Sequence, residues 1–255
     1  MKKEIRQVDE KRGILQVTTV DERWYIRDMK DAKTGLPKYE YVPSVTWICE
    51  HYPKGVAFYK WLASKGWNEA EAIKTAAGDK GSKVHEAIED LIKGKEISID
   101  AKYMNYSTKK DEELNLEEYE CIMSFASWWQ EVKPKPLGFE FAVWGDGYAG
   151  TVDLLCSIEG KTWLIDFKTS QYIWPSHELQ VSAYKHAMES KDVPANINLA
   201  ILQLGYRLNE KRFKFTEIED QYAEFQAAKT IWAKEQKGVE PKQREYPLIV
   251  TLKGE

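Results

Sequence analysis

Three apolar runs lie between Leu137 and Lys168, joined by two dipeptides, Asp146-Gly147 and Glu159-Gly160. Asp-Gly between alternating apolar residues is a strong short-range hairpin signal, and Glu-Gly supplies the glycine that a tight turn needs. The pattern predicts three consecutive antiparallel strands, over about 137–144, 148–157 and 162–168. That meander constrains every fold open to the rest of the chain. It also carries charge where valine and isoleucine would build a sheet most easily. The stretch "GTVDLLCSIEGKTWLIDFKTS", residues 150–170, sets Asp153, Asp166 and Lys168 inside the strands.

Side chains alternate faces along a strand. In the second strand Val152, Leu154, Cys156 and Ile158 share one face, and Asp153, Leu155 and Ser157 the other. In the third, Trp163, Ile165 and Phe167 oppose Thr162, Leu164, Asp166 and Lys168. A two-residue turn at Glu159-Gly160 pairs Ile158 with Lys161 and brings Asp153 opposite Asp166. A four-residue loop keeps that register; a three-residue loop shifts it by one. A type I′ turn at Asp146-Gly147 likewise sets Glu140 opposite Asp153. The row Glu140–Asp153–Asp166 then crosses three strands, with paired Cβ atoms about 4.5–5.5 Å apart. Like charges directly opposite are destabilising. The row therefore needs a cation, a shared proton or a basic neighbour. Hard oxygen donors in a partly open site suit Mg²⁺ or Mn²⁺. A single Asp or Lys on a strand reads more simply as part of a solvated face. The aligned acids, followed by Lys168 at i+2, point to a metal site instead.

Around the meander the pattern is mixed. Residues 13–29 read as one or two strands and "DAKTGLPK" (31–38) as a turn. Residues 42–67 read as two short helices broken near Pro53. A helix over 68–77 stops at "GDKG" (78–81), and Ser82 caps the next, through Lys93 to Gly94. A helix is expected over 111–132, another after Pro175 with Ser176 as cap, and a last over 220–237. Strands are expected at 198–207 and 212–218. Together these predict an α/β (α+β) fold, one mixed β-sheet flanked by helices, in a single domain over 1–255.

Hydrophobic residues make up 43% and charged residues 31% of the chain, the balance of an ordinary globular protein. No apolar run approaches the ~18 residues that span a bilayer. The basic start "MKKEIRQVDEKRG" lacks a following apolar core, so a secretory signal is not expected and a cytoplasmic setting is. Cys49, Cys121 and Cys156 are far apart with no C-x-x-C, against a zinc ribbon or an iron–sulfur cluster. A net charge of −4 leaves nucleic acid open as partner, because only the local groove must be positive.

At these residues the chain resembles the PD-(D/E)XK nuclease superfamily, and within it the RecB-like exonuclease branch. That branch carries G-x-x-x-H, G-x-x-D, D-x-K and Q-x-x-x-Y in order. Here they stand as "GSKVH" (81–85), "GTVD" (150–153), "DFK" (166–168) and "QVSAY" (180–184). Each motif alone is weak; four in order over residues 43–185 are specific. "VPSVTWI" (42–48) is also similar to the N-terminal segment of phage and mitochondrial genome-maintenance members. The chain lacks the four cysteines of iron–sulfur members and any G-x-x-x-x-G-K-[ST] of a helicase motor.

The resemblance implies a restriction-endonuclease-like core with a helical N-terminal part, and phosphodiester hydrolysis of DNA, as an exonuclease in recombination, repair or phage replication. His85, Asp153, Asp166 and the carbonyl of Phe167 would hold Mg²⁺ or Mn²⁺, with Glu140 a further catalytic carboxylate. Lys168 would orient the attacking water or stabilise the transition state. Gln180, Tyr184, Thr169 and Ser82 would face substrate. On residue type alone, His85 at the edge of the stripe Val84, Ala87, Ile88, Leu91 and Ile92 reads as a packed or capping histidine, and Gln180 and Tyr184 as core-edge residues. Lys80, Lys83, Arg207, Lys211 and Arg212 are candidates for a basic groove, Trp174 for stacking on bases, and His177 is a weaker neighbour. Two other readings stand beside this one. One is a catalytically inactive nuclease-fold module that binds DNA. The other is a glycoside hydrolase, which needs paired carboxylates about 5–9 Å apart but neither metal nor lysine.

Overall fold

The computed structural model describes residues 4–18, 22–30, 37–188 and 196–236. The chain opens with four antiparallel strands, β1 (Glu4–Asp9), β2 (Ile14–Thr18), β3 (Arg23–Lys30) and β4 (Pro37–Pro43), in a sheet of that order. Most of the turn expected over 31–38 lies outside the described residues. Two short helices follow, α1 (Val45–Cys49) and α2 (Val56–Lys65), on either side of Pro53. Ser44 caps α1, its hydroxyl accepting from the Trp47 N–H at 3.1 Å.

Helix α3 (Trp67–Ile92) runs unbroken through "GDKG", where the sequence predicts two helices. Gly78 and Gly81 each cost about 1 kcal/mol of helix propensity relative to alanine. The buried face of Ala70, Val84, Ala87 and Ile88 outweighs them. Ser82 therefore caps nothing; its hydroxyl donates back to the Gly78 carbonyl at 3.1 Å, as a serine inside a helix does. Strands β5 (Lys102–Asn105) and β6 (Lys110–Glu113) then form a small hairpin, so the next helix starts later than expected. Asn115 sets its start. Its side chain accepts from the Glu118 N–H at 3.0 Å, and the Glu118 carboxylate accepts from the Asn115 N–H at 2.8 Å. That reciprocal box begins α4 (Leu116–Val132).

The meander forms as β7 (Lys135–Gly145), β8 (Tyr148–Ile158) and β9 (Lys161–Lys168). Helix α5 (Pro175–Ala187) crosses back to β10 (Ile197–Leu204), and β11 (Phe213–Ile218) and α6 (Tyr222–Glu235) complete the described chain. Pro175 occupies the first turn of α5, and Trp174, not Ser176, is the cap residue. The central sheet has the order β11-β10-β9-β8-β7. Only β10 and β9 are parallel, joined through α5, so the sheet is mixed as expected.

Helices cover both faces. Val84 and Ile88 of α3 and Ile122, Phe125 and Trp128 of α4 pack on Leu154, Cys156, Ile165 and Phe167. On the other face Trp47, Leu179, Phe225 and Trp232 pack on Leu155, Leu164 and Ile201. Val152 belongs to this second layer, away from Leu154 and Cys156, so the strict alternation read from the sequence breaks at Asp153. Trp24 of β3 meets Trp47 and Trp232 edge-on, with centroids 5.3 and 6.0 Å apart, and so fastens the N-terminal sheet to the core. Cys49, Cys121 and Cys156 are buried and unpaired. Among the described residues no helix is long and apolar enough to cross a membrane.

Candidate active site

Turn geometry sets the register. Glu159 and Gly160 take φ of 50° and 78°, both left-handed, as a two-residue type I′ loop requires. Ile158 pairs with Lys161, and the ladder continues to Leu154 opposite Ile165. The next positions in line are Asp153 and Asp166. There the ladder ends, and Asp153 Oδ2 itself accepts the Phe167 N–H at 2.7 Å. At Asp146-Gly147 only the glycine is left-handed, φ 71°, so the turn is not the expected type I′. It is still a two-residue loop, with Gly145 paired to Tyr148, and Glu140 falls opposite Asp153 between the pairs Phe139–Leu154 and Phe141–Val152.

Glu140 sits at φ 46°, an uncommon conformation for a residue with a side chain. Its carboxylate Oε1 lies 3.8 Å from Nδ1 of His85, and Oδ1 of Asp153 lies 3.4 Å from the same nitrogen. His85 Nε2 is 3.2 Å from the Phe167 carbonyl. One donor atom from each of His85, Glu140 and Asp153 falls within 4.8 Å of the others. Burial alone would lower the His85 pKa, but the charges of Asp153 and Glu140 raise it well above the ordinary imidazole value. Burial raises the Glu140 carboxyl, aided by Asp153 and opposed by His85. Asp153 is also buried, yet His85, Lys168 and the Phe167 N–H hold its pKa low.

Asp166 and Lys168 form the adjoining half. Lys168 Nζ lies 2.6 Å from Asp166 Oδ2, in a carboxylate only 1% exposed. Burial pushes the Asp166 carboxyl up to about 6 even with that cation beside it. Gln180 of α5 ties the pair together: its Oε1 accepts from Lys168 at 3.2 Å, and its Nε2 donates to Asp166 Oδ1 at 3.2 Å and to Tyr184 Oη at 2.7 Å. Tyr184 is itself buried, and its ring explains a motif glycine. A Cβ on Gly150 would lie 2.3 Å from Tyr184 Cε1. The glycine of "GTVD" and the tyrosine of "QVSAY" are thus one packing unit.

The donor set fits a hard divalent cation: an imidazole nitrogen, two carboxylates and a strand carbonyl. Oδ2 of Asp166 adds a buried carboxylate oxygen beside them, held by the Lys168 ammonium at 2.6 Å. Strain and buried charge at Glu140 give a testable consequence. A left-handed residue with a side chain is disfavoured by about 1–2 kcal/mol, against roughly 0.5–1 kcal/mol for the added backbone freedom of glycine. Glu140→Gly is expected to stabilise the metal-free protein by about 1 kcal/mol, a rise of about 2–4 °C in Tm, while weakening divalent-metal binding. Because the folded carboxyl is raised, its ionisation opposes folding at neutral pH. That part of the gain fades as pH falls below the usual glutamate value of 4.5. Thermal melts in EDTA across pH, beside a metal titration, check it.

A cleft of about 460 Å³ opens beside the acids, lined by His85, Glu140, Gln180 and Ser82. Thr169 directly follows β9, half-buried. The five basic residues expected to flank a groove do not stand free. Lys80 and Arg207 pair with Glu117, the buried Lys83 with Glu118, Arg212 with Glu120 and Lys211 with Glu131. They are the counter-charge of the acidic helix α4. Trp174 is 54% and its ring neighbour Tyr172 70% exposed, in the loop after β9. His177 is half-buried, and desolvation pushes its pKa down to about 3, with the charges of Lys168 and Lys54 acting the same way. The cleft also takes in Arg6, Arg23, Tyr25 and Thr151, which the sequence reading did not single out. Thr151 lies within the "GTVD" motif on β8, whereas no local pattern marks Arg6, Arg23 and Tyr25, which come to the site with the N-terminal sheet.

A search of characterised proteins returns no match to the chain. The family model of the PD-(D/E)XK nuclease superfamily matches residues 59–247, which includes the four motifs at 81–85, 150–153, 166–168 and 180–184 but not "VPSVTWI" (42–48). That match and the mixed sheet flanked by helices support a metal-dependent nuclease, and the chain belongs to the PD-(D/E)XK nuclease superfamily.

Proposed function

We propose that this chain is a deoxyribonuclease of the RecB-like exonuclease branch, acting as one domain on DNA ends or single strands with Mg²⁺ or Mn²⁺. The observation that carries the reading is a convergence. Four motifs from four separate elements meet at one point: His85 from α3, Asp153 from β8, Asp166 and Lys168 from β9, and Gln180 from α5. His85, Glu140 and Asp153, with the Phe167 carbonyl and Asp166, would hold the ion. When bound, such an ion lowers the pKa of a water and offsets charge on the scissile phosphate. Asp166 keeps Lys168 charged, because its carboxylate outweighs the effect of burial on the ammonium. Gln180 fixes the direction of that ammonium, which donates to the attacking water or a non-bridging phosphate oxygen. Trp174 and Tyr172 offer exposed rings for an unpaired base.

End-labelled linear and circular single strands, and a linear duplex, incubated with Mg²⁺, Mn²⁺ or EDTA, test the proposal. Short products from the linear single strand, abolished by EDTA, are expected. Circles cut as fast as linear strands would remove the exonuclease part. No cleavage of any substrate under either metal would remove the nuclease itself.

A further inference from the structure

The N-terminal sheet forms one wall of the cleft, and a row of its side chains leads to the acids. Arg6, Gln16 and Tyr25 stand opposite one another on β1, β2 and β3. Gln16 Nε2 donates to Tyr25 Oη at 2.7 Å, and that hydroxyl lies 3.0 Å from Oγ1 of Thr151, two residues before Asp153. Tyr25 is buried, so this chain of contacts is fixed in place. Thr18 and Arg23 make the next row. Arg6 and Arg23 are exposed and line the cleft beside Glu140, and Arg6 is near enough for its charge to act on that carboxyl. Neither arginine is ion-paired with a described carboxylate. The contrast with the α4 side, where each basic residue has its glutamate, is direct.

The other wall is α3, which lines the cleft with Gly78, Gly81 and Asp79 and with Glu86 and Glu89, the last two held by Tyr106 and Lys93. A Cβ at either glycine would meet nothing within 4 Å. Packing among the described residues thus gives no reason for two glycines in a helix interior. The open space leaves room for a group to come close to the helix backbone. The cleft volume of about 460 Å³ lies within the roughly 300–1,000 Å³ of a small-ligand pocket. A cleft of that size takes part of a single strand.

We infer that the face of the N-terminal sheet bearing Arg6 and Arg23, across from the glycines of α3, is a track for the phosphate backbone of a single nucleic-acid strand on its way to the acids. The identity of the strand rests on the nuclease reading above; the arginine track rests on this geometry.

Anisotropy of a fluorescent twelve-residue oligothymidine, with Ca²⁺ in place of the working metal and over a salt series, reads the track without cleavage. Each phosphate neutralised on a single strand contributes about −0.7 to the slope of log affinity against log salt. Arg6→Ala/Arg23→Ala is expected to lose about 1.4 of that slope and about tenfold or more in affinity, with an unchanged Tm. Arg6→Lys/Arg23→Lys, a variant that keeps the charge and the fold, is expected to retain the slope. An alanine variant that binds with wild-type affinity and slope overturns the track. So does a wild type that binds no oligonucleotide, or that binds a twelve-pair duplex as tightly as the single strand. Binding by this pattern with no cutting under Mg²⁺ or Mn²⁺ supports the track and removes the nuclease reading alone.

Discussion

Lys168→Ala is expected to lower single-turnover cleavage by about 10²–10³-fold, the usual loss for one transition-state donor. The same variant is expected to melt at a lower temperature without metal. From the sequence alone Lys168 faces water and substrate, and its removal should leave stability almost unchanged. The structure gives it a different partner. Nζ lies 2.6 Å from the buried Oδ2 of Asp166 and is held by Gln180. Removing one member of a buried pair leaves the other uncompensated, at a cost of about 3–5 kcal/mol. Protonation of Asp166, whose carboxyl is already up at about 6, limits that loss at neutral pH. A saturating divalent ion gives Asp166 another cationic neighbour. The melting deficit should then shrink while the cleavage deficit stays. A lysine that only bridges Asp166 to its surroundings would behave in the opposite way, regaining activity once metal is restored. Single-turnover rates and melts on one variant, with and without Mn²⁺, separate the two. Cleavage within about threefold of wild type, or about 0.7 kcal/mol, would end the catalytic assignment.

What the sequence made legible was local. Strand periodicity and two glycine turns were enough to bring Glu140, Asp153 and Asp166 into line, because register follows from loop length. The type of the Asp146-Gly147 turn was misread without harm, since another two-residue loop keeps the same pairing. Reading failed where distant packing decides. Gly78 and Gly81 announce a break, yet α3 continues because Val84, Ala87 and Ile88 bury against α4 and the sheet. "KYMN" and "KDEE" alternate too weakly to be seen as strands β5 and β6. The basic residues Lys80 and Arg207 find Glu117 at 37 and 90 positions' separation, which no window could show. Arg6 and Arg23 reach the cleft because the N-terminal sheet docks, through Trp24 on Trp47 and Trp232 and through Ile14 and Tyr25 on Ala142 and Trp144. The side switch at Val152 follows the end of the ladder at Asp153, where function interrupts the sheet.

Asp153→Asn tests that interruption at its centre, and is expected to weaken Mn²⁺ binding by about 100-fold or more. The substitution is nearly isosteric. Asparagine can keep the 2.7 Å bond from the Phe167 N–H through its amide oxygen, so the end of the β8–β9 ladder survives. Its NH₂ group then faces His85 Nδ1, where Asp153 Oδ1 stood 3.4 Å away. A donor replaces an anion at the point where His85, Glu140 and Asp153 converge. The deleted charge is present at neutral pH, because His85 and Lys168 hold the Asp153 carboxyl low despite its burial. Removing a group that only orients a metal ligand costs about 10–100-fold in affinity, so loss of a ligand belongs at or beyond the upper end. Calorimetric Mn²⁺ titration of wild type and variant, with melts in EDTA to show an intact fold, gives the comparison. Equal affinity in the two would take Asp153 out of the metal site. The row of acids would then rest on Lys168, His85 and the nearby Arg6 as counter-charges.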